Sequence, residues 1–258
     1  MKKAVSVVIL CKNEEKIISS TLKSVKALTD DIVCADSGST DNTKNIIEQW
    51  GAKLFEISWE GYGKTKNKAI DKAQYDWILA LDSDEPIDAE LLQSILAEPF
   101  DDVNTVYSFS FQTYFCNKRI RFGEWGRKEK HIRLFNRTVV RWQEVDVHEQ
   151  LNLPPGFKIK HLDGAVQHHT VKNYESYIQK NISYALLGGQ KYYQQGKNVS
   201  LLKIWIAPLF SFGYNYFFRL GFLDGWEGFL IARTTAIYTF IKYAHLRELK
   251  NQLKKRTQ

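Results

Sequence analysis

The chain has 258 residues, 44% of them hydrophobic and 25% charged, with a formal net charge of +7. These values exclude a disordered or low-complexity chain and fit one large domain, or one domain with an appendage. The basic balance suits anionic partners: nucleotide, phosphorylated lipid, membrane surface or nucleic acid.

Three scattered cysteines, Cys11, Cys34 and Cys116, lack metal-ligand spacing. Cys11 and Cys34 fall in or beside apolar runs and are expected as buried thiols, which suits a reducing cytoplasm. The amino terminus runs straight into a strand-like segment without a small-residue cleavage site, so no signal peptide is expected. The longest uncharged run, 204–218, is short and is broken by Pro208 and Gly213, so no membrane span is expected.

Strand and helix signals alternate over the first hundred residues. Val5-Ser6-Val7-Val8-Ile9-Leu10 reads as a buried strand, and Asn13 as the cap of a helix carrying Ile18, Leu22 and Val25. Asp31-Ile32-Val33-Cys34-Ala35 is a second strand. Thr40 or Asp41 opens a helix that Gly51 ends. A third strand covers 52–57, a helix 64–73, and a fourth strand ends at Asp82. This order predicts an α/β fold with a doubly wound, mostly parallel sheet. Tyr107, Phe109, Phe111 and Phe115 alternate with polar residues in an extended strand. Segments 131–135 and 139–142 are expected to form a hairpin around Asn136-Arg137. From Lys172 onward the chain reads as helical and aromatic-rich, ending in a basic tail.

Doubly wound sheets bind ligands beyond the carboxyl ends of their strands. Asn13-Glu14, Asp36-Ser37-Gly38-Ser39 and Asp82-Ser83-Asp84 all fall at such ends. Asp82 and Asp84, so close together, stay ionised at least cost with a divalent cation between them or a basic group facing them. Mg²⁺ takes few protein carboxylates and completes its shell with water and phosphate oxygens, so this pair is a natural seat for a metal-diphosphate. The plainer reading is a loop capping the next helix through Asp88. Asp36 could accept a hydrogen bond from the imide N–H of uracil, or simply close a turn. Dinucleotide and P-loop glycine patterns are absent.

Three ordered segments, 6–15, 36–41 and 81–85, resemble the signatures of family 2 glycosyltransferases with the GT-A fold. The resemblance implies an inverting, metal-dependent transferase that uses a nucleotide-diphosphate sugar. It implies that Glu14 and Asp36 contact the nucleoside, and that Asp82 and Asp84 hold Mg²⁺ or Mn²⁺ with the diphosphate. Lys66 and Asn67 would lie near the nucleotide, and Arg133 on donor or acceptor phosphates. Arg133-Leu134-Phe135, Val147-His148-Glu149 and Gly221-Phe222-Leu223-Asp224-Gly225 are similar to a narrower group. These are bacterial enzymes adding glucose to the inner-core heptose of lipopolysaccharide or lipooligosaccharide.

An inverting transfer needs a base that deprotonates the acceptor hydroxyl. Glu149 is the first candidate, with Asp146 and Glu144 as rivals, and His148 either orients Glu149 or approaches the metal. His148-Glu149 departs from the Glu-Asp pair common in relatives. The implied organisation is a nucleotide-sugar-binding half (1–100), an acceptor-binding half (101–170) and a helical extension (171–258). Aromatic and basic residues in that extension suit the cytoplasmic face of the inner membrane beneath a lipid-linked oligosaccharide acceptor, or else packing on protein in an oligomer. No nucleic-acid partner is expected. Two other classes compete: a metal-dependent nucleotidyltransferase, disfavoured because 10–15 lacks a basic, glycine-rich triphosphate loop, and a non-catalytic anionic-lipid binder. Strand-end carboxylates would repel phosphates in the latter unless metal were present.

Overall fold

The apolar runs of the first hundred residues fold into the expected series of parallel strands and crossing helices. The computed structural model describes residues 2–126, 129–144, 150–171 and 173–256, with side chains to residue 252. Strands β1 (Val5–Cys11), β2 (Asp31–Asp36), β3 (Lys53–Glu56) and β4 (Trp77–Asp82) alternate with helices α1 (Ile18–Val25), α2 (Thr43–Gln49) and α3 (Tyr62–Ile70). Helix α4 (Ala89–Ala97) follows, then β5 (Thr105–Phe115), β6 (Lys118–Arg119), β7 (Glu129–Asn136), β8 (Arg141–Trp142), β9 (Leu151–Asn152) and β10 (Lys158–Val171). The chain ends in α5 (Tyr174–Gln194), α6 (Leu201–Gly213), a π-helical turn (Tyr214–Phe218), a 3₁₀ turn (Gly221–Asp224) and α7 (Gly225–Arg256).

The central sheet runs β10-β5-β7-β4-β1-β2-β3. β1 is parallel to β2 and β4, β2 is parallel to β3, and β7 is antiparallel to β4 and β5. Successive side chains of β1, β2 and β4 enter opposite cores. Val7, Ile9, Cys34, Leu79 and Leu81 pack in the core that α1, α2 and α4 join. Val8, Val33, Ala35, Ile78 and Ala80 pack on the other face with Ala69 and Ile70 of α3. Burial on both faces explains why these strands read as unbroken apolar runs. Cys11 and Cys34 are buried thiols, as expected. Burial pushes Cys34 up to about 12, so it is inert at neutral pH.

Several local expectations are corrected. Asn13 does not cap α1, which starts at Ile18; its side-chain oxygen accepts the Thr40 N–H instead (2.8 Å), and Asn13 itself has φ +55°. Helix α2 starts at Thr43, two residues beyond Asp41, whose carboxylate takes the Thr43 N–H (3.1 Å). The hairpin around Asn136-Arg137 does not form. β7 joins the central sheet, while β8 pairs with β9 in a separate ribbon. Arg137 turns the chain away: its guanidinium holds the carbonyls of Ile70 (3.0 Å) and Ala73 (2.8 Å), and Trp142 is drawn into the core edge-on to Phe135.

Contacts divide the chain into two compact units, Met1–Gln112 with Lys128–His168, and Thr113–Arg127 with His169–Gln258. The second unit centres on Phe115, Ile120, Val171, Tyr177 and Ile231. Buried Asp224 accepts the N–H groups of Arg121 (3.0 Å) and Phe122 (2.8 Å), pinning that loop to the start of α7. Gly228 is needed there, since a Cβ would lie 1.9 Å from the Gly221 carbonyl oxygen.

The amino end of the sheet is tied by a fully buried carboxylate. Asp31 receives the Ser6 hydroxyl, Lys53 Nζ (2.7 Å) and the Gln74 N–H (2.7 Å), joining β1, β2, β3 and the approach to β4. Burial alone would raise this carboxyl; the bonds from Lys53, Ser6 and Gln74 outweigh it and hold it below the usual range. Its contribution is therefore complete above the unfolded value near pH ~4 and fades as pH falls below that. Asp31→Asn should cost on the order of 1–3 kcal/mol at neutral pH. Urea denaturation at stepped pH should show the deficit constant above about pH 5 and shrinking below about pH 4.

Candidate functional site

Strand register aligns the predicted polar clusters on one edge. At the carboxyl end of β1, Cys11 pairs with Asp36 and Leu10 with Asp82. The loop after β1 is laced to the loop after β2: Ser39 Oγ accepts the Asn13 N–H (2.9 Å), and Thr43 Oγ1 accepts the Glu14 N–H (2.8 Å). The sequence expectation that these segments share one sheet edge is borne out.

Asp36 is fully buried, and both its oxygens are engaged. Oδ2 accepts the N–H groups of Gly38 (3.1 Å) and Ser39 (2.8 Å), and Oδ1 accepts the Ser39 hydroxyl. Gly38, with φ +94°, permits this closed turn. Lys44 Nζ lies 3.8 Å from Asp36 and 2.5 Å from Glu56. The acceptor capacity expected to meet uracil is thus spent on shaping the turn.

Around the end of β4 the geometry is electrostatic. Asp82 Oδ1 lies 3.8 Å from Lys66 Nζ, and Oδ2 lies 3.5 Å from Arg133 Nη2. The same Nη2 is 2.8 Å from Glu85 Oε1, and Glu85 Oε2 accepts the Asp82 N–H (2.9 Å). Burial would raise the Asp82 carboxyl, but the charges of Lys66, Arg133 and His168 hold it below the usual range. Glu85 goes the other way. Its burial, with the Asp82 charge beside it, pushes it up to about 7 despite Arg133. Lys66 is itself buried, its ammonium 4.6 Å from the Trp142 ring centre. Lys66, Asp82, Arg133 and Trp142 line a cleft of about 440 Å³, with Lys130 and His131 on a further wall. That volume suits a small-molecule ligand.

Asn67, expected near the nucleotide, is committed to the backbone of Trp142. Its amide donates to the Trp142 carbonyl (3.0 Å) and accepts the Trp142 N–H (3.0 Å). Gly63 abuts the same strand, where a Cβ would lie 1.9 Å from the Gln143 carbonyl oxygen. Helix α3 therefore fixes β8 and the chain as far as Glu144. The expected base candidates Asp146, His148 and Glu149 lie outside the described residues.

One site residue was missed from sequence. His168 Nε2 lies 3.6 Å from Asp84 Oδ2. It is carried there by β10, which is stitched to the segment after β4. The Asp88 N–H donates to Ala165 (3.0 Å), the Gln167 N–H to Pro86 (2.8 Å), and Ile87 bridges Val166. Ala165-Val166-Gln167-His168 shows no period-2 alternation, so the sequence offered no strand signal there. No cluster of three or more His, Cys, Asp or Glu side chains around a common point occurs among the described residues. The carboxylates of Asp82 and Asp84 are the hard oxygen donors that Mg²⁺ or Mn²⁺ takes, with most positions left to water and phosphate oxygens; the His168 imidazole stands beside Asp84.

The family profile described as Glycosyl transferase family 2 matches residues 6–164. An uncharacterized glycosyltransferase of Rickettsia typhi is 29% identical, over 96% of this chain and 88% of the relative. The lipopolysaccharide core biosynthesis glycosyltransferase LpsC of Rhizobium meliloti is 28% identical, over 95% of this chain and 92% of the relative. Among solved structures, glucosyl-3-phosphoglycerate synthase from Mycobacterium tuberculosis, in complex with Mn²⁺ and UDP-glucose, matches 43% of each chain with TM-score 0.34 and 22% identity.

Removing Arg133 should expose the strain among the carboxylates. Arg133→Met removes the cation shared by Glu85 and Asp82; Glu85, already lifted to about 7, takes up a proton, so the cost is that of the lost charged hydrogen bonds, about 1–3 kcal/mol. Adding Glu85→Gln should recover much of that loss in urea denaturation. Unchanged stability of the single variant would show that the pair is not held by Arg133.

Proposed function

The chain belongs to glycosyl transferase family 2, and from that premise we propose that it moves a hexose, glucose, from UDP-glucose to an inner-core heptose of lipopolysaccharide or lipooligosaccharide. The observation that carries the reading is the juxtaposition, at one sheet edge, of a cation-balanced Asp82 with the Asp84–His168 pair beside a cleft of donor size. A lipopolysaccharide-core acceptor is supported by the LpsC relative, which matches nearly the whole chain, and the inner-core heptose by the resemblance of Arg133-Leu134-Phe135 and Val147-His148-Glu149. Such an acceptor is lipid-linked, which supports a reaction at the cytoplasmic face of the inner membrane.

Glu14 and the Asp36–Ser39 turn form the nucleoside edge. Asp36 acts by holding that turn, Glu14 by direct contact. Lys66 and Arg133 keep Asp82 ionised and attract the diphosphate; Arg133 also neutralises the neighbouring Glu85. Asp82 and Asp84 would hold Mg²⁺ or Mn²⁺, with His168 beside Asp84; the ion would supply positive charge to the departing diphosphate. On the acceptor side Glu149 removes the hydroxyl proton as that oxygen bonds to the anomeric carbon and the bond to UDP breaks, inverting the centre. Asp146 is the alternative base, and His148 orients Glu149.

Calorimetry should show UDP binding more tightly than ADP or GDP, and more tightly with Mn²⁺ than with EDTA. Asp84→Ala and His168→Ala should each remove the Mn²⁺ increment while the fold persists. An increment that survives both changes would refute the metal assignment.

Glu149→Gln keeps shape but removes basicity. Transfer from UDP-glucose to a heptose acceptor should fall by roughly a hundredfold or more, with UDP binding near normal. Retention of activity in Glu149→Gln, with loss in Asp146→Asn, would move the role to Asp146.

A further inference from the structure

The second unit carries an apolar face that its own core does not use. In α6 only Ile204 is buried, while Leu202, Ile206 and Phe210 face outward, with Leu209 70% and Trp205 69% exposed. The spacing places these side chains along one side of the helix. Past Gly213 the helix widens into the π turn, which buries Asn215 and leaves Phe218 81% exposed. Rings stack along the same side, Phe210 on Tyr214 (5.9 Å) and Tyr214 on Phe218 (6.4 Å). Phe222, Leu223 and Trp226 extend the exposed apolar set into the next turn. Exposed surface of this kind marks an interaction site.

Its charge is one-sided. From Ser176 to Leu223 the chain has no Asp or Glu, yet carries Lys180, Lys191, Lys197, Lys203 and Arg219. Lys203 and Arg219 bracket the apolar stretch, with the Arg219 guanidinium over the Tyr214 ring (4.8 Å). The first acids that follow are consumed within the unit. Asp224 is buried on the backbone of Arg121 and Phe122, and Glu227 pairs with Lys118 (2.6 Å). No helix among the described residues is long and apolar enough to cross a membrane.

We propose that residues 201–226 lie in the plane of an anionic lipid surface, apolar face inward, with Lys203 and Arg219 at the level of the headgroups. An aromatic strip edged by cations, too short to span, is the chemistry of interfacial binding. A second copy of the chain fits less well. A two-fold interface would set this patch against itself and bring cations together with no acid to pair them. The proposal deepens the functional reading by naming the lipid-contacting element, and rests on that reading only for the expectation of a lipid-borne acceptor.

Flotation of the full chain with vesicles tests it. The protein should float with mixed phosphatidylglycerol–phosphatidylcholine vesicles and less with phosphatidylcholine alone; high salt should weaken the first without abolishing it. Leu209→Ser/Phe210→Ser/Phe218→Ser should lower flotation at least about tenfold, with melting temperature and UDP binding unchanged. Lys203→Glu/Arg219→Glu should erase the preference for anionic vesicles. A chain that stays at the bottom with both vesicle types overturns the proposal. So does a dimer that the triple variant dissociates while flotation persists. Flotation is read without any transfer assay, so a chain that floats but transfers no hexose counts against the functional reading alone.

Discussion

Several carboxylates end at one edge of a buried sheet, and the rest of the site is arranged around keeping them charged or neutral as needed. Asp82 sits within reach of both Lys66 and Arg133 and stays ionised, while Glu85, a few residues on and fully buried, is lifted toward neutrality. The difference lies in solvation and in cation count. Arg133 divides one nitrogen between the two carboxylates, and Glu85 has in addition a backbone N–H. An edge of this kind tolerates an incoming anion only because its own charge is largely cancelled beforehand.

The scaffold that holds these groups is as important as the groups themselves. Lys66 is positioned by α3, and α3 is locked to β8 through the Asn67 amide and the close approach at Gly63. His168 is positioned by β10, which is stitched to the segment between β4 and α4 by backbone bonds. Gly164 permits that approach, since a Cβ there would lie 2.1 Å from the Leu91 nitrogen. Lys66 is thus placed by a helix whose Asn67 amide grips main chain, and His168 by main-chain contacts, which limits the conformational entropy lost when a ligand binds.

What was legible in the sequence was local. Strands buried on both faces announce themselves as apolar runs, and turn chemistry after β2 and β4 is written in adjacent residues such as Gly38 and Asp88. Asp88 caps α4 as its position suggested. Pairings across long stretches of chain were not legible. Nothing near Asn136 reveals that β7 inserts beside β4 while β8 turns toward β9, because Arg137 is anchored by carbonyls more than sixty residues earlier. Asn67 read as a ligand residue for the same reason: an amide's partner is decided in space, and here it is the backbone of Trp142. His168 was overlooked because a histidine within a strand has no local signature of a site. Its meaning comes from Asp84, brought near by the fold.

The aromatic richness of the carboxyl-terminal third shows how composition and geometry answer different questions. Composition says that such rings need burial somewhere. Geometry shows Tyr177 in the core of the second unit, edge-on to Phe115 and Trp125. Phe210, Tyr214 and Phe218 stack on one another along α6 and the turn after it, and stay exposed. Exposed rings in water forfeit part of the hydrophobic gain that favours folding, so a chain that keeps them there has a use for them outside its own core. The π turn at Tyr214–Phe218 fits that logic. It turns the amide of Asn215 inward onto the Ser211 carbonyl (3.0 Å) while Phe217 and Phe218 face out, trading helix regularity for a broader apolar surface.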